Sequence, residues 1–477
     1  MMRMRVGAAV IAVLATLIVA GGAEAAVPPG SIPVGASWQT NGRVETIVVV
    51  GSTAYVGGEF TSVRPSGSPL GTGEIVRNHA YAVNVQTGDL LPWDPNTNNT
   101  VQSIAVSGQT VYLGGTFGTV GDKTHARVAA VDATTGVPIQ TFKAKANGSV
   151  NALAIGPTGL YMGGAFTTAD KATANHLAQV DLATGALVPG WTAGTDQKVT
   201  AIGLTSDGTR LVVAGNFQTI NSSFGQRYIG AVSPATGATL SWLSHPGYPV
   251  ITLAIDSHGV FVAGNGNGGN VASFNPSTGQ QQWIGGVDGN VQAIAVDSAA
   301  STVYVGGHFN NYCGHTGGTN VCRTPTVRDH LMSLDEPTGN ILPWHPSANG
   351  VLGVFAMAAS NGTVEAGGDF TKLGGVAQQG FGEFSAISDP TVTDSCGGAP
   401  TNVNPVTVTA SGSASTGPGF AGYRYQTSAD GGATWGALRN GPTATVKTAG
   451  TTMVRFEAVD AYGNASNWVS DTVTITP

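Results

Sequence analysis

From Trp38 to about Ser388 the chain alternates between short apolar runs and polar turns, and the alternation repeats. The plainest copy runs from Val150 to Trp191. It opens on Val150-Asn151-Ala152-Leu153-Ala154-Ile155, crosses a Pro-Thr-Gly turn, and enters a second apolar run closed by Gly163-Gly164-Ala165-Phe166. A polar loop leads to a third run, Leu177 to Asp181. The turn Leu182 to Gly185 follows, and the unit closes on Trp191. Period-two alternation between Gly- and Pro-containing breaks predicts half-buried strands joined by tight turns. Four short strands in about 42 residues is the content of one propeller blade.

The second glycine of the Gly-Gly or Ala-Gly signature falls at Gly58, Gly115, Gly164, Gly215, Gly264, Gly307 and Gly368. Closing aromatics follow six of these, at Trp93, Phe142, Trp191, Trp242, Trp283 and Trp344. The seventh copy has none, whereas Trp38 precedes the first copy. The pattern therefore predicts seven blades, with an N-terminal strand around Trp38 completing the last one and leaving no open edge. Each slot has an expected task. The Gly-Gly pair permits close approach between sheets or an unusual backbone angle. The next aromatic (Phe60, Phe117, Phe166, Phe217, Phe309, Phe370) fills space between blades. Thr-Gly pairs from Thr87-Gly88 to Thr338-Gly339 make hairpin turns, in which Asp132, Asp181 and Asp335 accept backbone hydrogen bonds. His79, His176 and His330 share one slot with Arg127, Tyr228 and Asn270, which marks it as a generic polar position rather than a ligand set.

The composition changes at about Asp389. A Pro-, Gly- and Asn-rich linker, 389–400, leads to residues 401–477, whose runs VTVTAS, YRYQTS, TATVKT, MVRFEAVD and TVTIT lack the Gly-Gly signature. Such strands predict a small β-sandwich resembling bacterial immunoglobulin-like or fibronectin-type modules, with Trp435, Phe456 and Trp468 as its core. Within it, Ser428 to Trp435 matches the Asp-box pattern of sialidase hairpins. A single box without an arginine cluster reads as a self-contained turn capped by Asp430.

Only 10% of residues are charged and glycine contributes 70 of 477, which fits turn-rich β structure and not helices. The net charge of −7 and the lack of a basic patch argue against nucleic acid and anionic membranes as partners. Residues 1–25 read as a signal peptide. Arg3 and Arg5 precede an apolar run from Val6 to Ala20, too short for a comfortable membrane span, and Ala23-Glu24-Ala25 is a cleavage site. The expected product is secreted, extracellular or loosely surface-associated, without an integral membrane segment after cleavage. In that oxidising setting Cys313 and Cys322 are expected to form a disulfide, leaving Cys396 over as a free thiol or an intermolecular bridge.

The succession VYVGGxF, LAxVDxxTG, PWxP and GxVxAxAV resembles a family of secreted, actinobacterial-type propeller repeats related to the delta-60 repeats. The resemblance spans Trp38 to Ser388 and implies a β-propeller (26–388) with no established biochemical activity. The fifth copy departs from it in GNGNGGNVAS, and the seventh lacks the Asp-x-x-Thr-Gly turn.

No enzyme class is well supported. Asp-x-x-Thr-Gly followed by Trp resembles the docking motif of quinoprotein dehydrogenases, but it recurs in most copies, whereas a catalytic base should break the repeat. Tyr312-Cys313 with His308 and His315 hints at copper, and His308, Cys313, His315 and Cys322 at zinc. The disulfide is the simpler use of both cysteines. Carboxylates outside the slots (Glu45, Glu59, Glu74, Asp170, Glu365, Asp369) form no recognisable pair. No catalytic residue, metal ligand or cofactor is expected.

Two long second-to-third loops, Thr61 to Val76 and Asn310 to Val327, project from one rim and flank the short loop of the seventh copy. Arg64, Arg77, Tyr312, His315, Arg323 and Arg328 lie in or beside them and are the candidate recognition residues for a protein or glycan at the cell surface. The resulting expectation is an all-β, non-enzymatic binding platform. Its alternatives are a secreted enzyme acting on carbohydrate at the rim, or a structural envelope component.

Overall fold

The computed structural model describes residues 29–34, 37–242, 246–264, 269–314, 322, 325–360, 362–413, 420–460 and 464–477. The expected signal peptide lies outside the described residues. Every element among those described is a β-strand, and no helix is long and apolar enough to cross a membrane.

The unit read from Val150 folds as an antiparallel sheet of Val150–Gly156, Gly159–Gly164 and Leu177–Val180, and a bridge between Val180 and Leu187 marks its fourth segment. Sheets of the same order begin at Val44–Val50, Val101–Ser107, Val199–Leu204, Asn290–Asp297 and Val354–Ser360, and the one beginning at Val250–Ile255 has six strands, running on through Gln281–Val287 to Asn311–Gly314 and Thr326–Val327. Numbered along the chain, these are units one to seven. The first strand of each unit packs on the first strand of the next, and that of unit seven packs on that of unit one.

Two glycines make this packing possible, for different reasons. A Cβ on Gly163 would lie 2.6 Å from the Val199 side chain that opens unit four, and one on Gly57 would meet Val101 in the same way. A Cβ on Gly164 would land on the backbone carbonyl of Ser149, where the first strand is irregular in register beside Val150. Both glycines of the signature therefore serve close approach. The left-handed angle lies elsewhere in the unit, in the shared polar slot. His79, Arg127, His176, Tyr228 and His330 have φ between 65° and 75°, and unit seven uses Gly380 there. At that angle the His176 N–H donates to Phe166 O while its carbonyl accepts from Gly164 N–H.

The closing aromatics tie neighbours together. The indole N–H of Trp93 donates to Asp132 O, Trp191 to Pro234 O, Trp242 to Pro276 O and Trp283 to Glu336 O, in each case the turn of the following unit. Trp38 makes the same bond to Gly88 O in unit one, at 2.9 Å. Trp344 of unit six instead reaches Gly30 O, since unit seven lacks the turn. Gly30 and Val34 donate to Ser385 O and Glu383 O, so residues 30–34 run along the third strand of unit seven. The strand beyond Trp38, Gln39–Thr40, pairs with Ser62–Arg64 of unit one.

After unit seven the chain forms two further sheets, one of three strands beginning at Thr391–Asp394 and one of four containing Phe420–Ser428 and Gly450–Asp460. Val406, Val408 and Val446 of the first share a buried cluster with Val454, Phe456 and Val473 of the second. Phe456 is core, as expected. Trp435 and Trp468 are not: they are half-buried and hold the Arg455 guanidinium between them, 4.0 and 4.4 Å from the ring centroids. A strand exposes alternate side chains, so Arg455 and the two indoles lie on the face away from Val454 and Phe456. Asp430 accepts from Thr434 N–H and from the Ser428 and Thr434 hydroxyls, which hold its carboxyl down at about pKa 2. The Asp-box is a closed turn.

Candidate functional site

The rim is built by a rule that the motifs did not show. The connector entering each of six units carries an amide or carboxylate (Asn41, Asn98, Asn147, Asp196, Asp288, Asn349) whose oxygen accepts two consecutive backbone N–H groups just past the slot aromatic. This pins the second-to-third hairpin beside the connector, as in the bridges Thr97–Val120, Ala146–Ala169 and Ala348–Leu373. The result is a row of short hairpins on one face.

The candidate residues occupy this row unequally. Arg64 is buried. Its guanidinium donates to Ser68 O, Gln39 Oε1 and, across to unit seven, Gln379 Oε1 at 2.8 Å, while Nη1 is buried without a partner. Ser66 reaches Gln378 of unit seven as well. The long loop of unit one thus leans on unit seven. Tyr312 is also buried. Its hydroxyl donates to Gly339 O, and burial pushes it up to about pKa 12. Arg77 and Arg328 hold equivalent positions, each two residues before the left-handed histidine. Arg77 donates to Val76 O and Leu91 O, and Arg328 to Val327 O and Leu342 O. His315 and Arg323 lie outside the described residues. The Cys313–Cys322 disulfide is present, and Cys396 is a free thiol.

The rim instead exposes apolar groups. Leu70, Ile75 and Val76 of unit one, Val327 of unit six, and Val351, Leu352 and Val376 of unit seven and its connector are all exposed, Val351 by 80%. These three units follow one another in the packing order. Side-chain alternation did not mark them, because two-residue strands such as Ile75–Val76 and Val376–Ala377 carry no period.

A second concavity, of about 630 Å³, is lined by all seven first strands. Its charged groups are Glu45 and Lys198. Burial raises the Glu45 carboxyl and the adjacent Arg43 opposes that rise, at 2.6 Å. Asn151 and Thr200 spend hydrogen bonds on the backbone of the next unit. These polar groups seam the sheets.

Glu365 faces Glu383 directly across the second and third strands of unit seven. Both are buried, and neither Glu365 oxygen has a hydrogen-bond partner. Burial raises Glu365 to about pKa 8, and burial with the neighbouring Glu365 charge holds Glu383 well above the ordinary carboxylate range. Glu365 fills the slot held by Tyr55, Tyr112, Tyr161 and Tyr304 in other units. Only strand pairing reveals that it has a carboxyl partner.

No protein-family model and no curated protein sequence matches the chain. Among solved structures it resembles a chain of a mitotic checkpoint complex, with 14% identity, TM-score 0.50, and coverage of 78% of this chain and 98% of that one. It also resembles the WD40 β-propeller domain of Doa1, with 13% identity, TM-score 0.45, and coverage of 75% and 96%. The computationally designed Ika8 protein matches at 14% identity and TM-score 0.43, with coverage of 92% and 99%. At these identities the likeness is one of fold. With repeated sheets set side by side around a common cavity, the chain is all-β and of the β-propeller class.

Proposed function

We propose that the chain is an exported, non-enzymatic binding platform. In this reading a seven-bladed propeller is closed by residues 30–38 and followed by an immunoglobulin- or fibronectin-like β-sandwich, as the delta-60-like resemblance implies. A protein at the cell surface binds to the rim of units six, seven and one. The observation that carries the reading is the set of exposed apolar side chains on these three consecutive units, anchored on hairpins held by backbone caps. Apolar side chains grouped on a rigid scaffold mark contact surfaces. The buried Arg64 and Tyr312 support that surface from beneath and do not touch the partner.

The test is saturable binding of labelled protein to intact cells of the producing organism, with and without protease treatment of the cells. A Val76→Lys/Val327→Lys/Val376→Lys variant should lose at least tenfold in affinity at unchanged melting temperature, and protease-treated cells should bind no better. Undiminished binding by the variant would exclude this rim. Undiminished binding to stripped cells would exclude a protein partner in favour of a glycan.

A further inference from the structure

On the face opposite the rim, two adjacent units bring together three side chains that the repeat does not require. Asp256 and His258 lie in the turn between the first and second strands of unit five, and Glu336 follows the third strand of unit six. The other units place Val85, Ala133, Leu182, Pro234, Pro276 and Ala386 where unit six places Glu336. The main-chain task at this position is common to several units. Glu336 O accepts the Trp283 indole at 2.7 Å, as Pro234 O and Pro276 O accept those of Trp191 and Trp242. Its carboxyl is therefore surplus to the fold, and it is buried.

The local geometry gives that carboxyl a second use. Glu336 Oε1 lies 2.8 Å from His258 Nδ1, and Asp256 Oδ2 lies 3.5 Å from the same nitrogen. One ligand atom from each residue falls within 4.8 Å of the other two. Glu336 Oε2 is buried with no hydrogen-bond partner. Asp256 is held in place, its Oδ1 accepting from His258 and Gly259 N–H and its Oδ2 from the Ser298 hydroxyl of unit six. The His258 side chain is 65% exposed and leaves an entry path from solvent.

We propose that Asp256, His258 and Glu336 bind one divalent transition-metal ion of the Zn2+ type, with water as the remaining ligand. A mixed imidazole and carboxylate set suits such ions, whereas Ca2+ and Mg2+ take oxygen donors. Tetrahedral Zn2+ at about 2.0–2.2 Å from N and O places its ligand atoms roughly 3.3–3.6 Å apart. Small side-chain movements from the observed separations reach that geometry. Because the ligands come from two units, the ion acts as a staple across the seam between units five and six.

The test is calorimetric titration of the full, EDTA-stripped chain with ZnCl2 alone, alongside melting curves with and without the ion. One equivalent should bind with micromolar or tighter affinity and raise the melting temperature. His258→Ala and Glu336→Gln should each weaken binding at least tenfold and abolish the shift, while CaCl2 and MgCl2 leave the wild type unmoved. His258 is exposed, so its variant reports even if Glu336→Gln folds poorly. Absence of zinc binding at millimolar concentration, or binding equal to wild type in His258→Ala, overturns the proposal.

Discussion

Glu365 shows how one buried residue couples this fold to pH. In the unfolded chain its carboxyl releases a proton near the ordinary value of 4.5, but burial in unit seven keeps it protonated to about pH 8. The folded state therefore holds more protons than the unfolded state between these values. Stability falls as pH rises from about 4.5 to about 8 and levels off beyond. Glu383, directly opposite, adds to the same trend. Glu365→Gln should raise stability by about 2–3 kcal/mol at pH 7 and leave it nearly unchanged at pH 4. Glu365→Gln/Glu383→Gln should flatten the slope further. Denaturant titrations at several pH values check this, and an unchanged slope would refute it. The two glutamates are 18 residues apart and in different strands, so no local motif joins them. Arg64 and Tyr312 illustrate the converse. Residue type and loop position nominated them for recognition, but burial, which depends on how neighbouring units pack, gives them internal partners.

At the scale of one strand pair, the Gly-Gly signature separates into two demands. The first glycine admits the side chain that opens the next unit, and units four and five already tolerate Ala214 and Ala263 there. The second meets backbone of its own unit, which cannot move aside as a rotamer can. Gly163→Ala should cost about 1 kcal/mol and Gly164→Ala about 3 kcal/mol or more, in line with overpacking of a close-packed interior. Equal melting temperatures for the two variants would contradict this division. The histidine slot was legible as a generic polar position, but not as left-handed. Its φ is imposed by the paired bonds to the Phe166 carbonyl and the Gly164 N–H, groups that meet only once the sheet forms.

For the molecule as a whole, the decisive seam is the one between the chain's beginning and unit seven. Trp38 performs for unit seven the task that each closing tryptophan performs for its own unit, and residues 30–34 cover the edge of Phe381–Ser385. In the proposed closed ring, Trp38→Ala should destabilise by about 3 kcal/mol. Removing residues 29–38 should bare a strand edge and promote association, since open edges recruit further strands. Light scattering and melting curves read both effects. A monodisperse truncated chain with wild-type melting temperature would show that unit seven is complete without the N-terminal segment.

The amino-acid order alone determined the strands, the turns, the repeat and its slots, because period-two alternation, Thr-Gly turns and Asp caps act over fewer than ten residues. It also marked the disulfide, whose cysteines are nine positions apart. Only the tertiary structure decided which polar residues are buried and which apolar ones are exposed. It decided that Trp435 and Trp468 clasp Arg455 on the outside of the C-terminal sheets. It also brought Asp256 and His258 to Glu336 and Glu365 to Glu383. Burial and proximity are set by how the sheets pack around their common cavity, and that arrangement draws on residues from every unit.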